Sequence, residues 1–424
     1  MAWGKRSGVD DLLARLQQPA TAKSLYVLST RSITDADAVK LAAAIAANAT
    51  LEELYLSGHK LGVEGLQAFG DCLAANATLR QLCVGHDELG DAGVKLLCDG
   101  LARNPRSGLQ VWDLEFKGLS HDGVAALGAL LSVNSSLTTL TLARNQIGDE
   151  GMAHLVAGLT ANGQSKLAVL HLTDVGVTGA GLDSLAELIE SPNCSLETLA
   201  LSFNDLSGAS TRFFEALGVN SSLRTLHLKD CHLATSHTDA LRAALARNAT
   251  LKELDLSDNL LGSDAVAAIA RGIHTNTTLQ TLKLGNNRAG DAGASAFTDG
   301  SAVVHLDLSK NDLKSAGMTA LLGLPSVKRL HLFSNSLGDG LMAVLPALAA
   351  NSTIETLDLG GNALHGPLSV KIFDALHTHP SLRTLEMGGN SLGVEGHAAL
   401  DALRAANPAL DVAVDKNVQD ENGN

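Results

Sequence analysis

A column of titratable side chains recurs through the second half of this chain at intervals of about 24 to 28 residues. Imidazole, ammonium and carboxylate groups alternate along it: His227, Asp255, Lys283, Asp307, His331 and Asp358. If these groups lie side by side, they can form a ladder of weak ion pairs or offer a polar strip to a binding partner. In the second case, the histidines would make binding sensitive to pH.

The same residue types raise the question of metal binding and catalysis. Asp307, His331 and Asp358 carry suitable ligand atoms, but this strand spacing seldom closes a ligand shell, so we predict no metal. The chain contains no GxxxxGK[ST], HExxH, GxSxG, paired CxxC or kinase motif set. We therefore expect a protein that is not an enzyme and needs no cofactor.

The elements that must position these groups are visible in residues 251–278. Leu254 and Leu256 alternate as in a strand, and Val266, Ile269 and Ile273 then follow with the spacing of one helix face. Close copies recur almost end to end, about fourteen in all with a period near 28 residues. One strand and one helix cannot bury both faces alone, so each unit must stack on its neighbours.

The pattern also sets the domain boundaries. We predict an N-terminal helical cap over residues 1–22, a solenoid over 23–409, and a truncated last repeat with a polar tail over 410–424. The unit that starts at Leu79 is lengthened around Asn104–Gly108, and the next unit, taken to start at Val111, lacks an asparagine position. Two short units, from Leu279 and Val303, predict clipped helices.

The repeated pattern LxxLxLxxNxL followed by a helix resembles the leucine-rich repeat. Its long period is similar to the ribonuclease-inhibitor-like subtype, and the resemblance covers roughly residues 23–415. It implies an α/β leucine-rich-repeat solenoid, or horseshoe. Its parallel β-sheet would form the concave face and its helices the convex face.

An asparagine lies five residues after the second strand leucine in eight units. The loop that leaves each strand carries backbone groups that cannot reach water, so a buried amide is needed there. The resemblance implies that these asparagines form a ladder between adjacent turns: Asn145, Asn204, Asn259, Asn287, Asn311, Asn335, Asn362 and Asn390.

Two other recurring motifs also have structural interpretations. Eight N-x-S/T sequences, such as those at Asn76 and Asn193, fall near helix C-termini, where asparagine tolerates a left-handed conformation. Aspartates in Gly-Asp-x-Gly pieces, such as Asp91, Asp149 and Asp291, precede helices and can cap them. We therefore predict neither glycans nor a phosphate loop at these positions.

The candidate binding residues are those expected to face away from the core on the sheet. Residues in one row of successive strands would lie roughly 4.8 Å apart. Exposed aromatic side chains are typical of interface hot spots. Besides the titratable column, the predicted partner-binding residues are Tyr55, Trp112, Glu115, His171, Phe203 and Phe333.

Composition narrows the kind of partner. A formal net charge of −14 argues against a nucleic-acid backbone or an anionic membrane as the main partner. The N-terminus lacks a continuous apolar stretch, and five cysteines in no metal-type spacing favour reduced thiols. We expect an intracellular, cytoplasmic protein that is monomeric, with a dimer through the solenoid ends as the alternative.

These observations predict a non-catalytic scaffold that binds an unidentified protein partner on its concave face. One alternative is a regulator of a small GTPase, because the Ran GTPase-activating proteins look similar in repeat type. Another is a pathogen effector or an immune-receptor-like recognition module. The sequence does not distinguish a host regulator from an effector.

Overall fold

The computed structural model describes residues 8–18, 23–233 and 235–414. The chain divides into two compact units, Met1–Ala216 and Leu217–Asn424. Each unit repeats a short strand, a loop and a helix.

The first unit contains seven strands that pair in parallel in chain order. Their register aligns the same repeat position on every strand, so that Leu54, Leu82 and Trp112 lie side by side. The strands are β1 (Ser24–Tyr26), β2 (Glu53–Ser57), β3 (Gln81–Gly85), β4 (Val111–Asp113), β5 (Thr139–Thr141), β6 (Val169–His171) and β7 (Thr198–Ala200).

Helices alternate with these strands. After α1 (Asp10–Leu16) come α2 (Asp35–Ala47), α3 (Val63–Ala75), α4 (Gly90–Ala102), α5 (His121–Leu131), α6 (Gly148–Ala161), α7 (Gly179–Glu190) and α8 (Arg212–Leu217). Consecutive helices from α2 to α7 pack against one another and form a layer behind the sheet.

The second unit continues the pattern with eight parallel strands in chain order. The strands are β8 (Thr225–His227), β9 (Glu253–Asp255), β10 (Thr281–Lys283), β11 (His305–Asp307), β12 (Arg329–His331), β13 (Thr356–Asp358), β14 (Thr384–Glu386) and β15 (Asp411–Ala413). The α-helices are α9 (Thr238–Arg247), α10 (Ser263–Ile273), α11 (Gly290–Ala294), α12 (Ser315–Leu322), α13 (Leu345–Ala350), α14 (Gly366–Leu376) and α15 (Gly393–Ala406), with 3₁₀ turns at Thr235–His237 and Gly338–Ala343.

The core of each unit lies between its sheet and its helices. The middle residue of a strand, such as Leu282 or Leu306, is fully buried, whereas the residues on either side are only partly buried. Helices α11 and α12 have five and eight residues, compared with eleven in α10. The two short units therefore do have clipped helices, as their length predicts.

The register of β4 differs from the one predicted from sequence. Trp112 pairs with Leu82 and Leu140, so it occupies the inward leucine position and is fully buried. The repeat motif therefore begins at Leu109 and not at Val111. Trp112 was predicted to be a surface contact, and that prediction is wrong because its ring fills the core.

The eight ladder asparagines connect adjacent repeats through their amides. Asn145 is typical: its Nδ2 donates to the carbonyls of Leu114 and Leu142 at 2.8 and 2.7 Å. Its Oδ1 accepts the N–H groups of Lys117 and Leu119, each at 3.0 Å. One side chain thus satisfies groups of its own turn and of the preceding turn.

The helix-terminal asparagines make a second series of contacts. The backbone of Asn76 is extended (φ −78°, ψ 133°) and not left-handed as expected. Its Oδ1 accepts the N–H of Leu79 at 2.8 Å, and its Nδ2 donates to the carbonyl of Ile45 at 2.9 Å. Asn193 differs, because it is exposed.

The predicted aspartate caps act on the helix of the next repeat. Asp149 lies in the first turn of α6, but its carboxylate accepts the N–H groups of Thr178 and Gly181 at the start of α7, at 2.7 and 3.1 Å. Asp91 and Asp291 bond the N-cap residues of α5 and α12 in the same way, each at 2.8 Å. Each such carboxylate links two neighbouring helices.

Candidate protein-binding surface

The solvent side of each sheet carries rows of side chains set by strand register. On the three-residue strands, the first and third residues flank the buried middle one. The third-residue row in the second unit contains His227, Asp255, Lys283, Asp307, His331 and Asp358. The six predicted column residues of this unit therefore do lie on adjacent strands.

In the first unit the third-residue row begins with a pair of stacked tyrosines. The rings of Tyr26 and Tyr55 lie 4.4 Å apart between centroids and are nearly parallel, at 8°. Tyr26 is 58 % exposed, and its hydroxyl donates to Glu53 Oε2 at 3.2 Å. These are the only two tyrosines in the chain. Tyr26 was absent from the predicted set because the first repeat is degenerate in sequence.

On β4, the third-residue row is occupied by Asp113 and not by Glu115, which was predicted to lie there. Asp113 pairs in register with Cys83 and Thr141, and its carboxylate accepts a hydrogen bond from the Cys83 thiol at 3.3 Å. Glu115 is exposed two residues later, beyond the end of β4. The prediction for Glu115 is wrong in register for the same reason as that for Trp112. His171 keeps its predicted place, in register with Thr141.

A second row of the first unit lies where the chain leaves the strands. It consists of Phe116, Arg144, Asp174 and Phe203, all with positive φ between 52° and 62°. Phe116 is 54 % exposed and Phe203 48 % exposed. The Arg144 guanidinium carbon lies 5.7 Å from the centroid of the Phe116 ring, a cation–π distance. We call these four residues the strand-exit row.

The left-handed conformation makes this row informative. A positive φ is uncommon outside glycine, asparagine and aspartate, and it costs roughly 1–2 kcal/mol for a bulky side chain. About half of the surface of Phe116 and Phe203 is exposed, so burial in the core offsets this cost only in part. Phe116 was missed from sequence because its repeat was placed out of register.

In the second unit, charged groups connect across strands. Glu253 Oε1 lies 3.5 Å from His227 Nε2 on β8 and 3.3 Å from Lys283 Nζ on β10. Glu253 belongs to the first-residue row, so the contacts run diagonally between rows. At this partial exposure each pair contributes about 0–1 kcal/mol.

Two histidines stack farther along the same sheet. The rings of His305 and His331 lie 4.8 Å apart between centroids, tilted by 40°. Burial, reinforced by the neighbouring His331 and Arg329, lowers the pKa of His305 to about 4. His305 is therefore neutral near pH 7.

The carboxylates beside this pair are also affected by burial. Burial raises the pKa of Asp358, and the Asp307 carboxylate adds to that effect, against a backbone hydrogen bond from Gly360. Phe333 packs over Gly360, where an added Cβ would come within 2.8 Å of the Phe333 ring. Phe333 is thus half-buried and not the open aromatic contact expected from sequence.

Three further findings concern metal binding, membrane-spanning helices and the cysteines. Among those residues, no three His, Cys, Asp or Glu side chains are grouped so that they could hold a metal ion. None of the helices described here is long and apolar enough to cross a bilayer. All five cysteines are free, and burial raises the pKa of the Cys83 thiol to about 11.

Sequence and fold together define the class of protein. Two profiles described as leucine rich repeat match residues 277–337 and residues 47–70, 133–156, 193–209 and 247–270. These matches fall on the repeats that carry the parallel strands described above. The chain therefore carries leucine-rich repeats, and it is similar over most of its length to ribonuclease inhibitors.

Individual relatives cover different shares of the chain. Mouse (Mus musculus) ribonuclease inhibitor is 26 % identical over 382 residues, which is 87 % of this chain and 77 % of that protein. Pig (Sus scrofa) ribonuclease inhibitor is 28 % identical over 232 residues, 54 % of this chain and 44 % of that protein. Human NACHT, LRR and PYD domains-containing protein 5 is 33 % identical over 145 residues, 34 % of this chain and 12 % of that protein.

The chain thus spans less than half the length of two of these three relatives. Among solved structures, an internalin from Listeria monocytogenes matches 95 % of this chain and 94 % of its own, with 16 % identity. The TM-score of 0.45 is too low for that match to carry an inference.

Proposed function

We propose that this protein is a non-catalytic scaffold that binds a protein partner through the sheet side of its repeats. The observation that carries the proposal is the strand-exit row, where two exposed phenylalanines flank Arg144 and Asp174. Phenylalanine and arginine are both enriched at protein interfaces, and arginine is among the residues that most often dominate binding energy. Both phenylalanines keep a backbone conformation that favours other residue types, which suggests selection for the ring itself.

The rest of the sheet side supplies polar complementarity in this proposal. The stacked tyrosines extend the first unit's surface, and the rows from His227 to Asp358 form the second unit's surface. Charged groups of this kind direct orientation and association rate more than affinity. The proposal places the energetic centre of binding in the first unit.

The test uses substitutions that keep the backbone conformation. Asparagine tolerates positive φ, so the double variant Phe116→Asn/Phe203→Asn removes both rings without new backbone strain. Leu260→Asn is the matched control, because Leu260 is also apolar, 50 % exposed and left-handed (φ 53°), but lies in the second unit. Binding partners captured by the wild-type chain would be identified, purified and titrated against all three proteins.

We expect the double variant to lose at least tenfold in affinity, while Leu260→Asn binds like wild type. Equal affinity of all three proteins would contradict the assignment of the strand-exit row. Loss in the control alone would move the binding site to the second unit.

A second candidate function is an immune-receptor-like recognition module. The match to human NACHT, LRR and PYD domains-containing protein 5, at 33 % identity over 145 residues, supports it. A captured partner of microbial origin, bound through the same residues, would favour this candidate over a host regulatory scaffold.

A further inference from the structure

A notch opens on the edge of the first unit where helices lead into strands. The loops at this edge begin at asparagines: Asn104 and Asn162 lie five residues before the next inward leucine, whereas Asn134, in the repeat between them, lies only three before it. Both long loops fold alike, because the N–H of Ser107 bonds the carbonyl of Asn104 and that of Ser165 bonds Asn162. A short loop between two long ones leaves a recess.

The recess has a volume of about 430 Å³. The short loop contributes Ser135 and Ser136, the strand edge contributes Gln110, and Arg80 and Lys166 also line the space. All of these side chains can donate hydrogen bonds, and two of them are cations.

The two cations are available to a ligand. Within the described part of the chain, the side chains of Arg80 and Lys166 have neither a hydrogen-bond nor an ion-pair partner, and neither does the hydroxyl of Ser135. Some other bases of this unit have acidic partners, such as Lys23 with Glu52 at 2.7 Å and Arg103 with Asp71 at 2.8 Å. Two unpaired cations facing one recess are notable in a chain of net charge −14.

The long loop also determines where the Arg80 guanidinium lies. A Cβ added at Gly108 would fall on Arg80 Nη1, so the guanidinium rests directly over the backbone of this glycine. Gly108 does not have a positive φ, so its backbone conformation is also open to alanine. Glycine at this position therefore serves the placement of the guanidinium and not a turn.

We propose that this notch binds a phosphate-type oxyanion. A planar guanidinium, an ammonium and hydroxyl groups approach from different sides, which matches the several acceptor oxygens of a tetrahedral anion. The anion can be free phosphate or the phosphoryl group of a phosphorylated serine or threonine on a partner protein. The proposal does not depend on the strand-exit row, which lies at the other end of the strands.

The first experiment titrates the full chain with inorganic phosphate at constant ionic strength, by calorimetry. Two charge-assisted contacts of an exposed site predict a dissociation constant on the order of 1 mM. We expect Arg80→Ala/Lys166→Ala to weaken binding at least tenfold. The control Arg271→Ala/Lys310→Ala removes the same charge from exposed positions of the second unit and should bind like wild type.

Gly108→Ala separates placement from charge. It keeps both cations but displaces the guanidinium, so phosphate binding should weaken several-fold while the melting temperature stays unchanged. If the notch and control double variants weakened phosphate binding equally, net charge alone would explain the effect and the proposal would be overturned. Phosphate binding that no variant changes would also overturn it.

A second arm distinguishes the two sources of the anion. A peptide with one phosphoserine is compared with its unphosphorylated form and with phosphate. Tighter binding of the phosphopeptide than of phosphate, lost in Arg80→Ala/Lys166→Ala, assigns the notch to a phosphorylated partner. Equal binding of phosphopeptide and phosphate assigns it to the free anion.

Discussion

At the scale of single residues, the ladder position shows how different side chains solve one problem. Asparagine supplies a donor and an acceptor in most repeats, whereas His59 replaces it with an imidazole that lies 3.2 Å from the carbonyl of Val27. Lys117 occupies the position in the repeat of Trp112 and donates to Ser57 Oγ and the Glu115 carbonyl, at 3.2 and 3.0 Å. Buried backbone groups need partners, but the partner's identity can vary.

The lowered pKa of His305 gives a pH prediction. In the unfolded chain its pKa returns to 6.5, so between pH 6.5 and about 4 the unfolded state binds a proton that the folded state excludes. Stability should therefore fall as the pH decreases through this window. The imidazole is faced by four other charged or titratable groups: Lys283, Asp307, Arg329 and His331. These groups are present in both wild type and His305→Gln, so their own contributions to stability cancel when the two proteins are compared.

We expect the melting temperature of wild type to fall more between pH 7.5 and pH 5 than that of His305→Gln. The raised pKa of Asp358 acts in the opposite direction, because the folded state holds that proton more tightly than the unfolded state. This contribution is common to both proteins. Parallel curves for the two proteins would show that His305 titrates normally.

At the scale of elements, the helices of adjacent repeats are joined by the carboxylates that cap them. Asp149 accepts bonds from the Thr178 N–H and hydroxyl and from the Gly181 N–H, so it fixes the start of α7 from within α6. Removing such a cap costs about 1 kcal/mol in other helices.

Asp149→Ala should therefore lower the free energy of unfolding by about 1 kcal/mol in urea titrations. Glu150→Ala is the matched control, since Glu150 is an exposed acid in the same helical turn and its nearest basic group, His121, is 3.8 Å away. The control should change stability by less than about 0.5 kcal/mol. Equal loss in both variants would attribute the effect to the helix dipole and not to the inter-repeat cap.

The elements themselves were largely predictable from sequence, because leucine spacing directly encodes strand and helix faces. Register failed at Trp112, where a longer loop shifted the motif and a tryptophan filled a leucine position. The action of Asp149 on the next helix was not predictable, since local capping rules consider only a residue's own helix. The His305–His331 contact was missed because it is diagonal and joins two different rows.

At the scale of the whole molecule, stability should be distributed repeat by repeat within each unit, because each repeat packs mainly against the repeats next to it in the chain. Asn311 is fully buried and bonds Leu284 and Ser309 carbonyls and the N–H groups of Asn287 and Ala289. Replacing it with leucine leaves these groups unsatisfied, which predicts a loss of roughly 3 kcal/mol or more.

The expected result of Asn311→Leu is faster hydrogen exchange, concentrated in β10, β11 and β12 and small in β14 and β15. Native-state exchange followed by mass spectrometry resolves these segments. Asn193→Ala is a control, because Asn193 is exposed. Uniform acceleration across the second unit would show that it opens as one cooperative block.

The direction of the connections between repeats also bears on how such a chain can change over evolutionary time. Each ladder asparagine serves the turn before it, and each capping aspartate serves the helix after it. A repeat duplicated in tandem therefore brings an asparagine that bonds the loop of the preceding copy and an aspartate that caps the helix of the following copy. Gene duplication can lengthen this array without stranding a buried donor, whereas a repeat such as that of Val175, which lacks the amide, would weaken every junction it was copied into.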